Sequence, residues 1–276
     1  MAVAWTRAAG RQALARLMHG SDVVIGAPGS LLATGAFAVP KLTVYEDDYF
    51  LDWHGRFYQG PAADTDFEVT GFDQSTDNEV AGFLTFRPVL SSAVVVTDLF
   101  EMYPDFSPAE MNDAINDAIS MVEGEALEDK VDESLVVAAS QWEYTVPAGF
   151  VAVEGIFQES GTANRYSSSG NFIDPRHWRI LPGASPKLWF DHDLVTLTSG
   201  RQLRLVGQQA PTQLTKDADL CAVPRSFVLY QAKANLHFSR VEETGDEHYR
   251  KMVVAQARAH EERRRVRVAS RGWKVA

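Results

Sequence analysis

A helix-initiation signal at Ser107, Pro108 and Glu110 is the strongest local constraint in this chain. The Ser107 hydroxyl can accept a hydrogen bond from a backbone N–H that has no partner within a helix. Pro108 follows at the first helical position, where its missing N–H costs nothing. Glu110 lies three residues after Ser107 and completes a capping box. The sequence therefore predicts a helix over residues 107–123 that begins at Ser107.

This predicted helix has one apolar face. The residues of that face recur at helical spacing and are Met111, Ala114, Ile115, Ala118, Ile119 and Val122. A helix with such a stripe gains stability by burying it against another element. We expect Ile115 and Ile119 to pack against the C-terminal part of the chain near Phe227 and Tyr230.

Hydrophobic periodicity divides the remaining sequence into helical and β-rich segments. Residues 1–20 predict an amphipathic helix, and residues 21–97 predict a small β-rich module that forms an antiparallel sheet or barrel. Residues 98–276 form a third region, whose parts are the helix 107–123, a β insertion at 134–207, helices 224–243 and 246–265, and a basic C-terminal arm at 263–276. The predicted fold class is α+β: a helical bundle built from the N-terminal, central and C-terminal helices, with a small antiparallel β module and a β-meander insertion.

Composition and alternation give finer expectations inside these regions. The segment LTVY at residues 42–45 is β-prone, and Ser134–Ala139 is placed to pair with Gln141–Val146. Leu194–Leu197 is expected to be a further strand of the meander. In the helix that follows Pro224, one apolar stripe is expected to contain Phe227, Tyr230, Gln231, Ala234 and Phe238.

Charge is distributed very unevenly along the chain. Residues 46–145 contain 23 acidic residues and three basic ones, a local charge of −20, although the whole chain carries only −11. Acidic protein surfaces repel nucleic acid, because they offer no partner for its phosphates. The acidic body is therefore expected to repel nucleic acid and to stay soluble.

The C-terminal arm has the opposite charge. Residues 249–276 contain nine basic residues and two acidic ones, a local charge of +7. A solvated helix end would explain the charges, but the interleaved valines and Trp273 favour docking onto an acidic partner. The residues expected to dock are Arg258, Arg263, Arg264, Arg265, Arg267, Arg271, Trp273 and Lys274.

Catalytic motifs are missing from the sequence. It contains no Walker A motif, GxGxxG, GxSxG or HExxH, so we predict no catalytic residues, no cofactor and a protein that is not an enzyme. The cluster Asp191, His192 and Asp193 could bind a cation, but it also reads as an ordinary turn with too few oxygen ligands, and no metal site is predicted. The aromatic residues of the β insertion could bind a sugar, although a core or subunit interface is the commoner use.

Membrane association is not expected either. No apolar run approaches the roughly 18 residues of a membrane-spanning helix. Residues 1–20 lack the apolar core of a signal peptide, since Arg7, Arg11 and Arg16 interrupt it. The single cysteine, Cys221, excludes a disulfide framework and fits a reducing compartment.

Four stretches, in this order, resemble head–tail connector (adaptor) proteins of the neck of tailed bacteriophages. They are Thr70–Tyr103, Ser107–Ile119, Trp142–Ile156 and Leu203–Ala232. Each stretch alone is uninformative, and their order carries the resemblance. It does not extend to the N-terminal 40 residues.

The resemblance implies a structural virion protein that forms a ring, commonly of twelve copies, beneath the portal protein. Such a ring links the capsid to tail or neck proteins and continues the DNA channel, which serves retention of the packaged genome and its ejection. Double-stranded DNA would pass the lumen without specific binding, and the arm would dock on the portal or on an adjacent subunit. The alternatives are another tail or neck protein, such as a tail-completion or minor tail protein, and a carbohydrate-binding or depolymerase module.

Overall fold

The computed structural model describes residues 4–29, 33–75, 81–161, 166, 171–241, 246–266 and 273–274. The chain divides into two compact units. The first unit comprises Met1–Met121 and Thr212–Val266, and the second comprises Val122–Pro211 and Arg267–Ala276. The second unit is therefore an insertion between helices of the first, together with the C-terminal residues.

Four α-helices occur in the described part of the first unit. They are α1 (Arg7–His19), α2 (Pro108–Ser120), α3 (Arg225–Ser239) and α4 (Asp246–Val266). Helix α3 is the centre of this group, since α1, α2 and α4 all pack against it. Helix α1 begins after Thr6, whose hydroxyl accepts from the Ala9 N–H at 3.2 Å and caps the helix.

A six-stranded antiparallel sheet completes the first unit. Its strands, in chain order, are β2 (Val24–Gly26), β3 (Ala36–Ala38), β4 (His54–Gln59), β5 (Thr65–Ser75), β6 (Ala81–Arg87) and β7 (Leu99–Tyr103). Their order across the sheet is β2-β7-β4-β5-β6-β3. Phenylalanine rings at positions 37, 57, 67, 86 and 100 pack in its core in edge-to-face and tilted arrangements. The sheet continues past residue 97, and two short strands, β1 (Trp5–Thr6) and β15 (Leu220–Cys221), pair separately.

The described residues of the second unit form strands and loops, with one short 3-10 helix at Pro175–His177. One sheet contains β8 (Glu128–Val136), β10 (Phe150–Gln158), β11 (Phe172–Ile173) and β14 (Gln202–Gln209), in the order β11-β10-β14-β8, and β16 (Trp273–Lys274) pairs with β10. The other sheet contains β9 (Glu143–Thr145), β12 (Trp178–Leu181) and β13 (Lys187–Phe190), in the order β12-β13-β9. All of these pairings are antiparallel.

The structure confirms the α+β class, but the fold is not built mainly on a helical bundle. Among the described residues, more lie in strands than in helices. Helices α1 and α2 also contact strands of the six-stranded sheet, α1 against β7 and α2 against β4. Part of each apolar helix face is therefore buried by the sheet, and not by other helices alone.

The meander expected at 134–207 is wrong in its connections. β8 pairs with β14 and β9 pairs with β13, so Ser134–Ala139 does not form a hairpin with Gln141–Val146. Residues 194–197 form a turn and an irregular segment instead of a strand. The physical reason is long-range packing: Leu203 and Leu205 of β14 are fully buried in the core of this unit, which fixes β14 beside both β8 and β10.

Two smaller expectations also fail. Pro40–Leu42 is a short 3-10 helix followed by turns, so LTVY is not a strand. Pro40 occupies the first position of this short helix, where its fixed φ suits a helical start. Phe238 is 67% exposed and does not belong to the buried stripe of α3, since Leu236 and His237 are the last buried residues of that helix.

Candidate interaction surfaces

The start of α2 has the full capping geometry. The Glu110 N–H donates to the Ser107 Oγ at 3.2 Å, and the Ser107 N–H donates to the Glu110 Oε2 at 2.7 Å. Met111, Ile115 and Ile119 are completely buried along the helix. The central helix is therefore fixed both at its first turn and along its apolar face.

The C-terminal residues expected to contact α2 lie on α3, which does pack against α2. Phe227 is buried, whereas Tyr230 is half-buried and lines a groove between α3 and α4. The two residues therefore occupy different surroundings on α3, one in the interior and one at a partly open surface.

A buried network of charges surrounds Asp217, in the segment before α3. Asp217 is 3% exposed and accepts hydrogen bonds from the guanidinium groups of three arginines. The distances are 3.1 Å from Arg7 Nε, 2.7 Å from Arg11 Nη1 and 2.7 Å from Arg56 Nε. Arg56 also contacts Asp64 at 2.9 Å and forms an ion pair with Asp66. One carboxylate thus joins α1 and β4 to the segment before α3.

Arg11 extends this network to the sheet and to α2. Its side chain is completely buried, forms an ion pair with Glu101 of β7 and donates to Asn112 Oδ1 of α2 at 2.8 Å. Burial raises the pKa of Glu101, although the charge of Arg11 opposes that rise. Burial also acts on Asp217, but hydrogen bonds and charge from Arg11 and Arg56 outweigh it and lower the pKa of Asp217. Asp217 is therefore the ionised centre of the network.

One sequence signal for this network lies in α1. Arg7 and Arg11 share the face of α1 that also carries Leu14 and Ala15, so two arginines lie on a buried helix face. A charged residue on an apolar face needs a buried partner. The identity of that partner, 206 positions away for Arg11, could not be read from local spacing.

The C-terminal arm is described only in part. Arg258, Arg263 and Arg264 lie on α4. Arg258 pairs with Glu261 at 3.4 Å, and Arg263 donates to the Met121 carbonyl at 3.3 Å. Arg267 and Arg271 lie outside the described residues, as does the side chain of Arg265. For Trp273 and Lys274 only the backbone is described, and it pairs with Val153 and Ala152 of β10.

The groove between α3 and α4 combines apolar lining with positive charge. It has a volume of about 270 Å³ and is lined by Tyr230, Lys233, Arg250, Lys251, Val254, Ala255 and Arg258. Lys233 Nζ donates to the Leu17 carbonyl at 2.8 Å, and burial together with the nearby Lys251 lowers the pKa of Lys233. We call this surface the basic groove.

A second exposed surface has the opposite charge. Residues 43–52 form a run of turns that carries Glu46, Asp47, Asp48 and Asp52, all exposed. Val44 is 79% exposed, and Tyr49 and Leu51 are each more than 40% exposed. We call this segment the acidic loop. Like the basic groove, it belongs to the first unit.

Groups suited to catalysis or metal binding are sparse in the described part of the chain. Asp191, His192 and Asp193 lie close together in a turn after β13, and the last two are exposed. The Asp193 N–H donates to Asp191 Oδ1 at 3.0 Å, which is the ordinary contact of an Asx turn. The described helices also lack the combination of length and apolar character that a membrane crossing needs.

A chain with exposed surfaces of opposite charge and a core joined by buried ion pairs fits a structural protein that binds other proteins. A family model described as SU10 adaptor protein matches residues 92–272, which is more than half of the chain. The protein belongs to this family of phage adaptor proteins and is thus a structural adaptor component of a phage virion. A search of curated proteins found no match.

Proposed function

We propose that the protein is the head-to-tail connector of a tailed phage and forms a ring, of about twelve copies, between the portal and the tail. Membership of the adaptor family carries this proposal. A subunit of a closed ring presents two different surfaces to its two neighbours. The first unit offers two such surfaces, which differ in charge and both leave apolar side chains exposed.

The proposed contact with the portal is the basic end of α4 and the arm that follows it. Arg264 is exposed and Arg263 half-buried, about one and a half helical turns after Arg258, the last residue that lines the basic groove. Arginine can contact a carboxylate through two parallel hydrogen bonds, which makes an acidic portal surface the matching partner. The pairing of Trp273–Lys274 with β10 holds the end of the arm on its own chain, so we assign the docking contact mainly to the arginines before it.

The proposed ring surrounds DNA with acidic walls. Residues 46–145, which carry the local charge of −20, include exposed carboxylates that could line such a lumen. Examples are Asp113 and Asp117 on the outer face of α2. A wall without basic groups gives phosphates no contacts, so DNA would pass in either direction without being held. A basic lumen in the electrostatic potential of the assembled ring would contradict this part of the proposal.

The mass of the assembly tests the ring and its place in the virion. Native mass spectrometry or sedimentation of the protein, alone and after mixing with purified portal rings, gives the number of copies per complex. We expect a complex whose copy number matches the portal. A six-fold assembly that does not bind portal rings would instead indicate a tail-tube or tail-completion protein.

A further inference from the structure

We propose that neighbouring subunits of the ring join head to tail, with the acidic loop of one copy seated in the basic groove of the next. The inference rests on the proposed ring and specifies which surfaces form its contacts. The two surfaces lie on the same unit of the chain, and the lining of the groove contains no residue of its own acidic loop.

The acidic loop is held rigidly in its described conformation. Its backbone N–H groups donate within the loop, from Tyr49 to Glu46 at 3.2 Å and from Leu51 to Asp48 at 2.9 Å. It is also tied to β5, since the Asp48 N–H donates to the Phe72 carbonyl at 2.9 Å and the Asp52 N–H donates to the Val69 carbonyl at 3.0 Å. A segment fixed in this way loses little conformational entropy on binding.

Aromatic packing supports the same loop from below. Phe50 is completely buried, and its ring packs against Tyr45, Tyr49, Trp53 and Phe72 with centroids 4.8 to 4.9 Å apart. The exposure of Val44, Tyr49 and Leu51 above this cluster is therefore a property of an ordered surface. Ordered apolar side chains among charges are typical of protein-binding sites.

The carboxylates of the loop are available for a partner. Among the described residues, Glu46, Asp47, Asp48 and Asp52 form no ion pair within 4.0 Å. Asp47 accepts one hydrogen bond from the Gln74 N–H at 2.7 Å, which orients it without neutralising its charge. Four negative charges thus surround the apolar tip.

The basic groove is the complementary surface. Helix α4 buries only a narrow stripe, including Ala255 and Ala259, against the rest of the unit, and Val254 remains 65% exposed. Arg250 and Lys251 border Val254 on the open side. Lys251 pairs with Glu247 at 2.7 Å, but both side chains are largely exposed and such pairs exchange partners at little cost.

Charge decides which surfaces meet between copies. Contacts of loop with loop, or of groove with groove, would bring like charges together and are disfavoured. In a two-fold dimer each loop would enter the groove of the other copy and assembly would stop at two copies, so a wild type that forms only dimers would contradict the head-to-tail contact. Loop against groove brings opposite charges and apolar side chains together. Such a contact uses different surfaces on its two sides, and repeated around an axis it closes a ring.

Two double variants test the two sides of this contact separately, one in the acidic loop and one in the basic groove. The loop variant is Val44→Lys with Glu46→Lys, and the groove variant is Arg250→Glu with Val254→Glu, all at exposed positions. The matched control is Val89→Lys with Glu123→Lys, which changes an exposed valine and an exposed glutamate outside both surfaces. Self-association is measured by analytical ultracentrifugation at several salt concentrations.

We expect the wild type and the control to associate equally, and more weakly as salt rises. Each double variant alone should associate at least tenfold more weakly. An equimolar mixture of the two should form a dimer and nothing larger, because it contains one intact loop and one intact groove per pair. That dimer also shows that both variants are folded.

The outcomes distinguish this contact from the ring itself. If the variants form the same rings as the wild type, the proposed ring is retained, but the contact between acidic loop and basic groove is overturned. If they assemble normally but lose portal binding, the groove belongs to the portal interface and the contact is again overturned. A wild type that stays monomeric at every concentration also contradicts the contact, whereas failure to bind portal rings contradicts the proposed function.

Discussion

Arg11 of α1 donates two hydrogen bonds to Asp217, at 2.7 and 3.2 Å, across 206 positions of the sequence. Arg11 precedes the region matched by the adaptor family, residues 92–272, and Asp217 lies within it. Arg7 and Arg56 make the same connection from outside that region. The N-terminal residues are thus built into the adaptor region through a buried ion network.

Neutralising Asp217 should strongly destabilise the protein. The variant Asp217→Asn keeps the size of the side chain but leaves three buried arginines with less compensating charge. Removing one partner from a buried ion pair costs roughly 3–5 kcal/mol, and we expect a loss in this range in the free energy of unfolding. Urea denaturation measures it.

The control for this variant is Asp113→Asn, the same substitution at an exposed position of α2. It should change the free energy of unfolding by less than about 0.5 kcal/mol. If both variants unfold at the same urea concentration, the network does not hold the N-terminal helix to the adaptor region.

Truncating Ile115 should open a cavity in the interior of the first unit. Ile115 is completely buried on α2, which packs against α3. The variant Ile115→Ala should cost roughly 2–4 kcal/mol through lost burial and the remaining cavity. Thermal or urea unfolding tests this, with Asp117→Ala on the exposed face of α2 as its control. An unchanged midpoint for Ile115→Ala would show that this stripe is not part of the stabilising core.

Loss of the helix cap should have a smaller effect. In Ser107→Ala the Glu110 N–H loses the acceptor that lies 3.2 Å away in the wild type. We expect a cost of about 1 kcal/mol in the free energy of unfolding. Ser107→Asp, which retains a capping oxygen, should recover most of that loss; equal destabilisation by both variants would argue against the cap.

Stability should fall as the pH is lowered from 7 to 5, in part because of His237. Burial, followed by the charges of Lys233, His248 and Lys251, lowers the pKa of His237 to about 4. Its Nδ1 lies 3.2 Å from the Nδ1 of His248, so one of these two nitrogens carries a proton and donates it to the other in a hydrogen bond. Below its usual pKa near 6.5 the unfolded chain binds a proton that the folded chain does not, so acid favours unfolding.

We expect the free energy of unfolding to be roughly 1–2 kcal/mol lower at pH 5 than at pH 7. In His237→Gln the slope of the unfolding free energy against pH should become flatter over this interval. His192→Gln, at an exposed histidine, is the control and should keep the wild-type slope. If the unfolding free energy of His237→Gln depends on pH with the same slope as that of the wild type, His237 does not cause the loss of stability in acid.

Local signals predicted local structure, and long-range contacts limited the rest. The capping box at Ser107 and Glu110 depends on residues three positions apart, so the sequence located it and the structure shows its two hydrogen bonds. The pairing of β8 with β14 depends on burial of Leu203 and Leu205, about 70 positions away, and spacing near β8 holds no information about it. The same limit applies to the groove and the acidic loop, whose exposure only the folded chain defines.

The docking of the basic arm on the portal is tested most directly by co-sedimentation with purified portal rings. Removing residues 263–276 should leave a folded subunit that no longer binds portal rings. The same deletion also removes the strand Trp273–Lys274, which pairs with β10. The variant Arg263→Glu with Arg264→Glu keeps that strand, and Lys41→Glu, at an exposed position away from the arm, is its control. We predict that the full chain and Lys41→Glu sediment with portal rings in a salt-sensitive manner, while the truncated chain and the arginine variant remain in the supernatant. Equal binding by all four proteins would contradict the docking role of the arm.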